Sequence, residues 1–150
     1  LRPVMERAIA AHAPGLRWTL VDGQSRAAMR AADTVLLASG TATLECLLLD
    51  RTMVVAYRGS ALTYFLLATL GMLKVKNVSL PNLLAAEAVV PEYLQDAAQP
   101  PVMAAALLAL INDIAAAQRQ LAQFGAVREE LRRNAAQASA AAIAELIAGR

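Results

Sequence analysis

The chain has 150 residues, of which 58% are hydrophobic, 17% charged and 4% aromatic, and its formal net charge is +2. This composition excludes disorder and leaves room for one ordinary domain whose core is built from Ala, Leu and Val rather than from aromatic rings. Basic and acidic residues are mixed without a basic block, which argues against nucleic acid, and the longest charge-free apolar run, Gly59 to Leu73, falls short of the roughly 20 residues that cross a bilayer. Cys46 has no partner for a disulfide, and with His12 alone it makes no zinc set, so a reducing compartment and no metal or cofactor are expected. The opening Leu1-Arg2-Pro3 carries neither an initiator Met nor a signal core and reads as part of a longer protein.

Val4, Met5, Ala8, Ile9 and His12 recur at helical spacing up to Pro14-Gly15, with His12 in the last turn. Leu16 to Val21 alternates and reads as a strand that leaves into Asp22-Gly23. Gln24 to Ala32 reads as helix. Thr34 to Ala38 is a short apolar strand closed by Ser39-Gly40, and Thr41 to Leu49 continues with helix formers. Thr52 to Tyr57 is a further strand, Leu62 to Leu70 an apolar helix, and Val75 to Leu80 a last strand broken at Pro81. Continuous apolar strands alternating with helices predict a parallel sheet covered on both faces, an α/β layer. After Pro91 the pattern turns to alanine-rich helices, Val102 to Ile111 and a long amphipathic stretch from Ile114 to Ile147. There Glu129 precedes Arg133 by one turn. A layer over residues 1–99 and a helical segment over 100–150, packing on it or extending from it, is the expected division.

The segment Ala38-Ser39-Gly40-Thr41-Ala42-Thr43-Leu44-Glu45 is the most informative. A glycine between a strand's carboxyl end and a helix start lets a ligand approach the backbone, and the amides of the first helical turn attract an anion such as phosphate. Thr41 and Thr43 add hydroxyls. Glu45 lies about 6 Å further along the axis, far enough from a phosphate to accept hydrogen bonds from the two hydroxyls of a ribose. The alternative is Ser39 as a helix cap and Glu45 as an exposed carboxylate, with about equal weight from spacing alone. Arg58, after Tyr57, lies on the same rim, where open α/β sheets bind ligands, and either clamps a phosphate or is simply solvated. Asn82 either caps a helix from Leu83 or donates its amide to a ligand. The apolar run from Ala61 to Leu70, with Lys74 and Lys76 after it, fits a buried helix better than a membrane surface.

Taken in order, Val21-Asp22-Gly23-Gln24, Leu37 to Glu45, Met53 to Arg58, Val78-Ser79-Leu80-Pro81-Asn82-Leu83-Leu84-Ala85, Val90-Pro91-Glu92 and Leu94-Gln95 resemble the carboxyl-terminal domain of the lipid-A-disaccharide synthase family. The resemblance implies part of a GT-B glycosyltransferase with Rossmann-like domains. Such an enzyme joins UDP-2,3-diacylglucosamine to 2,3-diacylglucosamine 1-phosphate, inverts the anomeric carbon and releases UDP. It implies a cytoplasmic protein peripheral to the inner face of the inner membrane, with homo-oligomers open. Carried over residue by residue, Ser39, Gly40 and Thr41 face the diphosphate, Glu45 the ribose and the backbone near Asp22-Gly23 the uracil. Arg58 and Asn82 lie in or beside the donor site. Ala86-Glu87 departs from the Gly-Arg more usual in the family. The acceptor domain and the Pro-Gly-Ser-Arg loop of the family are expected before Leu1, and no residue here has a claim to the general base, so the chain alone is expected to be inactive.

In the Rossmann order 3-2-1-4-5-6 the strand near Trp18 would be the third and that near Val35 the fourth, which are not neighbours. Leu16 to Val21 is therefore expected to stand detached, to pair with another chain or to slide elsewhere, while the strands near Val35, Val54 and Val78 stay together. Two alternatives remain open: another GT-B enzyme of a UDP-sugar, against which Ser79-Leu80-Pro81-Asn82 argues, and a non-catalytic helical module that binds a partner through Ile114 to Ile147.

Overall fold

The computed structural model describes residues 2–59, 77–132 and 135–148. Helix α1 (Arg2–His12) ends before Pro14, and none of its residues is buried. Leu16 to Val21 then runs without forming a strand, which corrects the reading from its alternation. Alternation selects a strand only where a neighbouring strand and a core face are present, and among the described residues neither faces this segment. The segment is tied instead by Arg2, whose guanidinium donates to the Leu20 carbonyl at 3.3 Å and pairs with Asp22 at 2.5 Å.

Helix α2 (Ser25–Ala31), strand β1 (Thr34–Ala38), helix α3 (Thr41–Leu48) and strand β2 (Thr52–Tyr57) follow where the pattern places them. β1 and β2 pair in parallel, from Thr34 opposite Thr52 to Ala38 opposite Ala56. Strand β3 (Glu92–Leu94) joins the other side of β2, from Val55 opposite Glu92 to Tyr57 opposite Leu94, in the order β1-β2-β3. The fold is α/β, a three-stranded parallel sheet flanked by helices, and forms part of a Rossmann-like domain. Among the described residues no ladder joins the Trp18 segment to β1, as the expected strand order requires.

The third strand is not the one expected near Val78. Residues 75 and 76 lie outside the described part, residues 77 and 78 take no regular structure, Ser79 is a bend and Leu80 begins a helix. The reason is local. The amides of Val78 and Ser79 donate to the Glu92 carboxylate, and the Val78 carbonyl accepts from the Ser39 hydroxyl, so side chains take the bonds a ladder would need. Helix α4 (Leu80–Leu84) starts at once, with Pro81 in its first turn. β3 itself is only three residues long, too short for periodicity to mark.

Thr52 to Val55 are buried in succession, so both faces of β2 are covered. On one face Met53 and Val55 join Met29 of α2, Cys46 and Leu47 of α3, Val89, Val90, and Phe124 and Val127 in one core. Phe124 and Val127 belong to helix α6 (Ile114–Leu131). Helix α5 (Pro100–Asn112) packs on β1 and β2 without contributing to that core. α5 and α6 meet at 93°, and Asp113 at the corner caps α6 by accepting from the Ala116 amide at 3.1 Å. The stretch expected to run continuously to Ile147 is broken, with helix α7 at Ala135–Ala148. Glu129 pairs with Arg132 at 2.9 Å, while its expected partner Arg133 lies outside the described residues, as do the helix expected over Leu62 to Leu70 and both Lys74 and Lys76.

Gln120 of α6 completes the sheet. β3 begins only opposite Val55, so the backbone of Met53 has no strand on that side. The Gln120 side chain takes that place: its Oε1 accepts from the Met53 amide at 2.8 Å and its Nε2 donates to the Met53 carbonyl at 3.1 Å. A primary amide offers one donor and one acceptor in the geometry of a peptide group, which is what an unpaired strand position needs.

Candidate functional site

Parallel pairing sets the rim. Ala38 is level with Ala56, and Tyr57 with Leu94, so the chain leaves the sheet at Ser39, Arg58 and Gln95 on one edge, the carboxyl ends of the strands. Ligands of open α/β sheets bind at that edge.

Gly40 is the residue before α3 and sits at φ 147°, ψ −169°, a conformation open to glycine but strained for other residues. Apart from its chain neighbours, no atom of the described residues lies within 4 Å of where a Cβ would stand, so that position is open. No side chain caps the first turn of α3. The reading of Ser39 as the cap is therefore corrected: its hydroxyl donates at 2.7 Å to the carbonyl of Val78 instead. Thr43 is also corrected as a ligand hydroxyl, because it is fully buried and donates to the Gly40 carbonyl at 2.7 Å. Thr41 is exposed beside the turn.

Glu45, one turn along the same face of α3, is exposed and lines a hollow of about 290 Å³ with Arg26, Leu48 and Leu49. Arg26 also lines a larger, open depression with Gly23, Gln24 and Ser25. Arg26 therefore lines both the depression beside Gly23 and the hollow beside Glu45. Sequence reasoning passed over Arg26, which is one of several arginines on unremarkable helical positions. Arg58 is exposed at the rim. Gln95, just past β3, holds φ 50°, a left-handed conformation uncommon outside glycine, and its side chain lies near Gly59.

Asn82 neither caps a helix from Leu83 nor reaches outward. It lies within α4, 3% exposed, with Ser79 before the helix. Its Oδ1 accepts from the amides of Val89 at 2.7 Å and Val90 at 2.9 Å, and its Nδ2 donates to the Val90 carbonyl at 2.9 Å and to Glu92 at 2.6 Å. Every donor and acceptor of the amide is used. Glu92 takes four donors in all, from the Val78 amide at 2.8 Å, the Ser79 amide at 3.0 Å, the Ser79 hydroxyl and Asn82.

Cys46 is buried behind α3, and desolvation pushes its thiol up to about 11 against a smaller pull from Arg51. Its Sγ lies 3.5 Å from the Arg51 carbonyl. It is an inert core residue.

The family model for lipid-A-disaccharide synthetase matches residues 1–146. The chain belongs to the lipid-A-disaccharide synthetase family. It is 52% identical over 129 residues to the lipid-A-disaccharide synthase of Pseudomonas savastanoi pv. phaseolicola, covering 86% of this chain and 33% of that protein. To the synthase of Xanthomonas campestris pv. campestris it is 45% identical over 137 residues, 91% of this chain and 31% of the relative. With that of Hahella chejuensis it shares 46% over 144 residues, 95% of this chain and 35% of the relative. The chain spans about a third of the length of these curated relatives.

Proposed function

We propose that this chain forms the nucleotide-binding part of a GT-B glycosyltransferase that makes the lipid A disaccharide 1-phosphate. The donor is UDP-2,3-diacylglucosamine and the acceptor 2,3-diacylglucosamine 1-phosphate. The acceptor hydroxyl oxygen bonds to the donor's anomeric carbon from the face opposite UDP, that carbon's bond to the UDP oxygen breaks, the configuration inverts, and the hydroxyl proton passes to a base outside this chain. Both sugars carry acyl chains, so the protein works at a membrane surface, which we assign to the cytoplasmic face of the inner membrane.

The observation that carries this reading is the Gly40 turn: a glycine at positive φ whose Cβ position is open among the described residues, at the carboxyl end of β1 and before a helix with no side-chain cap. That arrangement suits the diphosphate, with Ser39 and Thr41 beside it and Arg58 on the neighbouring strand end adding a cation. Glu45 then accepts from the ribose hydroxyls, and the loop at Asp22-Gly23, beside the depression that Arg26 also lines, receives the uracil. Asn82 serves from beside the site.

Calorimetric titration with UDP of a full-length synthase carrying this chain as its carboxyl-terminal third tests the assignment. Loss of the charged hydrogen bonds in Glu45→Ala weakens binding by about 10- to 100-fold. Unchanged affinity removes Glu45 from the site. The chain alone yields no disaccharide, and product formed by it would refute the division of labour.

A further inference from the structure

We propose that Glu92 is a positioning residue for the sugar-nucleotide site, an inference that rests on the nucleotide reading of the rim. It is not placed to touch a ligand, since four donors already occupy its carboxylate. Among the described residues no cation pairs with it, and the donors that reach it there are N–H and O–H groups.

Its partners show what it holds. Val78, Ser79 and Asn82 come from the turn into α4, while Glu92 opens β3, more than a dozen residues on from the first of them. The carboxylate fastens that turn to the sheet, and Asn82 locks the other side through Val89 and Val90. The fastened turn holds the Val78 carbonyl where it accepts the Ser39 hydroxyl at 2.7 Å. Ser39 adjoins Gly40, whose backbone angles set the direction of the α3 amides. A chain of contacts therefore runs from Glu92 through Val78 and Ser39 to the turn that faces the diphosphate. Only a carboxylate offers enough acceptor sites for four converging donors. A glutamine in its place turns an NH2 toward the Val78 amide or the Ser79 group, and the turn shifts away from Ser39.

The test uses the full-length synthase carrying this chain, with UDP affinity measured by calorimetry and donor KM and kcat measured below each variant's melting range. Glu92→Gln raises the UDP dissociation constant and the donor KM about tenfold. Ser79→Ala, which removes one donor of four and leaves the fold's charge untouched, raises them about threefold and keeps the question answerable if Glu92→Gln fails to fold. Gln120→Leu, remote from the rim, lowers the melting temperature without changing UDP affinity, which separates positioning from mere stability. In a Ser39→Ala background Glu92→Gln adds little further loss, because the link is already cut. Full additivity of the two, or a melting-temperature loss with unchanged affinity in both Glu92→Gln and Ser79→Ala, overturns the inference alone. Absence of UDP binding by the unsubstituted protein overturns the reading of the rim, and the inference with it.

Discussion

Helices α1 and α6 are both amphipathic, yet they end in opposite states. No residue of α1 is buried, and Leu16, Trp18 and Val21 after it are exposed. α6 sinks Phe124 to 0% exposure and Val127 to 1%, and uses Gln120 to finish the sheet. The difference lies in what faces each helix rather than in its own pattern. α6 meets a strand with bare backbone and apolar side chains, whereas the bonds between α1 and the segment after it run from Arg2 to the Leu20 carbonyl and Asp22, and no residue of α1 is buried among the described residues. An apolar stripe records that a helix is suited to burial, not that a partner is at hand.

Substitutions can break or sharpen that contrast. The largest effect is expected at the centre: Phe124→Ala lowers the unfolding free energy by about 3 to 5 kcal/mol, measured by chemical denaturation. Gln120→Leu keeps the bulk but orphans the Met53 amide and carbonyl, and costs about 2 kcal/mol or more in the same experiment. If it proves neutral, the side-chain amide is not standing in for a strand. Cys46 gives a subtler probe. Its thiol is raised in the folded state to about 11 from an ordinary 9.0, so its contribution is complete below the ordinary value and is lost as pH rises through the folded one. The melting temperature should therefore decline over that window, and less steeply in Cys46→Ala; parallel slopes would dissociate Cys46 from the decline. The smallest effect belongs to the arm, where Asp22→Ala removes an exposed pair and changes stability by about 0.5 kcal/mol or less. A loss several times larger would mean the arm is docked, and the contrast with α6 would fail.

The legible part of the site was the part written in neighbouring residues. Ser39-Gly40-Thr41 declares a turn before a helix because glycine, hydroxyls and helix formers follow one another, and Glu45 falls one turn later by helical arithmetic. Asn82 was legible as important but not in its direction. Its choice among helix cap, ligand donor and internal strut depended on Val89, Val90 and Glu92, which sequence order holds apart and the sheet brings close. Arg26 gave no local signal, since it comes to line a hollow with Glu45 only where α2 meets α3.

The residues by themselves determined β1, β2 and α3, because each has a continuous local pattern with a stop at its end and strands of this apolar kind are buried on both faces. Tertiary structure decided the rest. Alternation at Leu16 to Val21 came to nothing without a neighbour to complete a ladder, and Val78 left the sheet because Glu92 and Ser39 offered its backbone other partners. Three residues after Pro91 became the third strand because β2 had an open edge there. Backbone hydrogen bonds must be satisfied, but which group satisfies them depends on what the whole chain brings within reach.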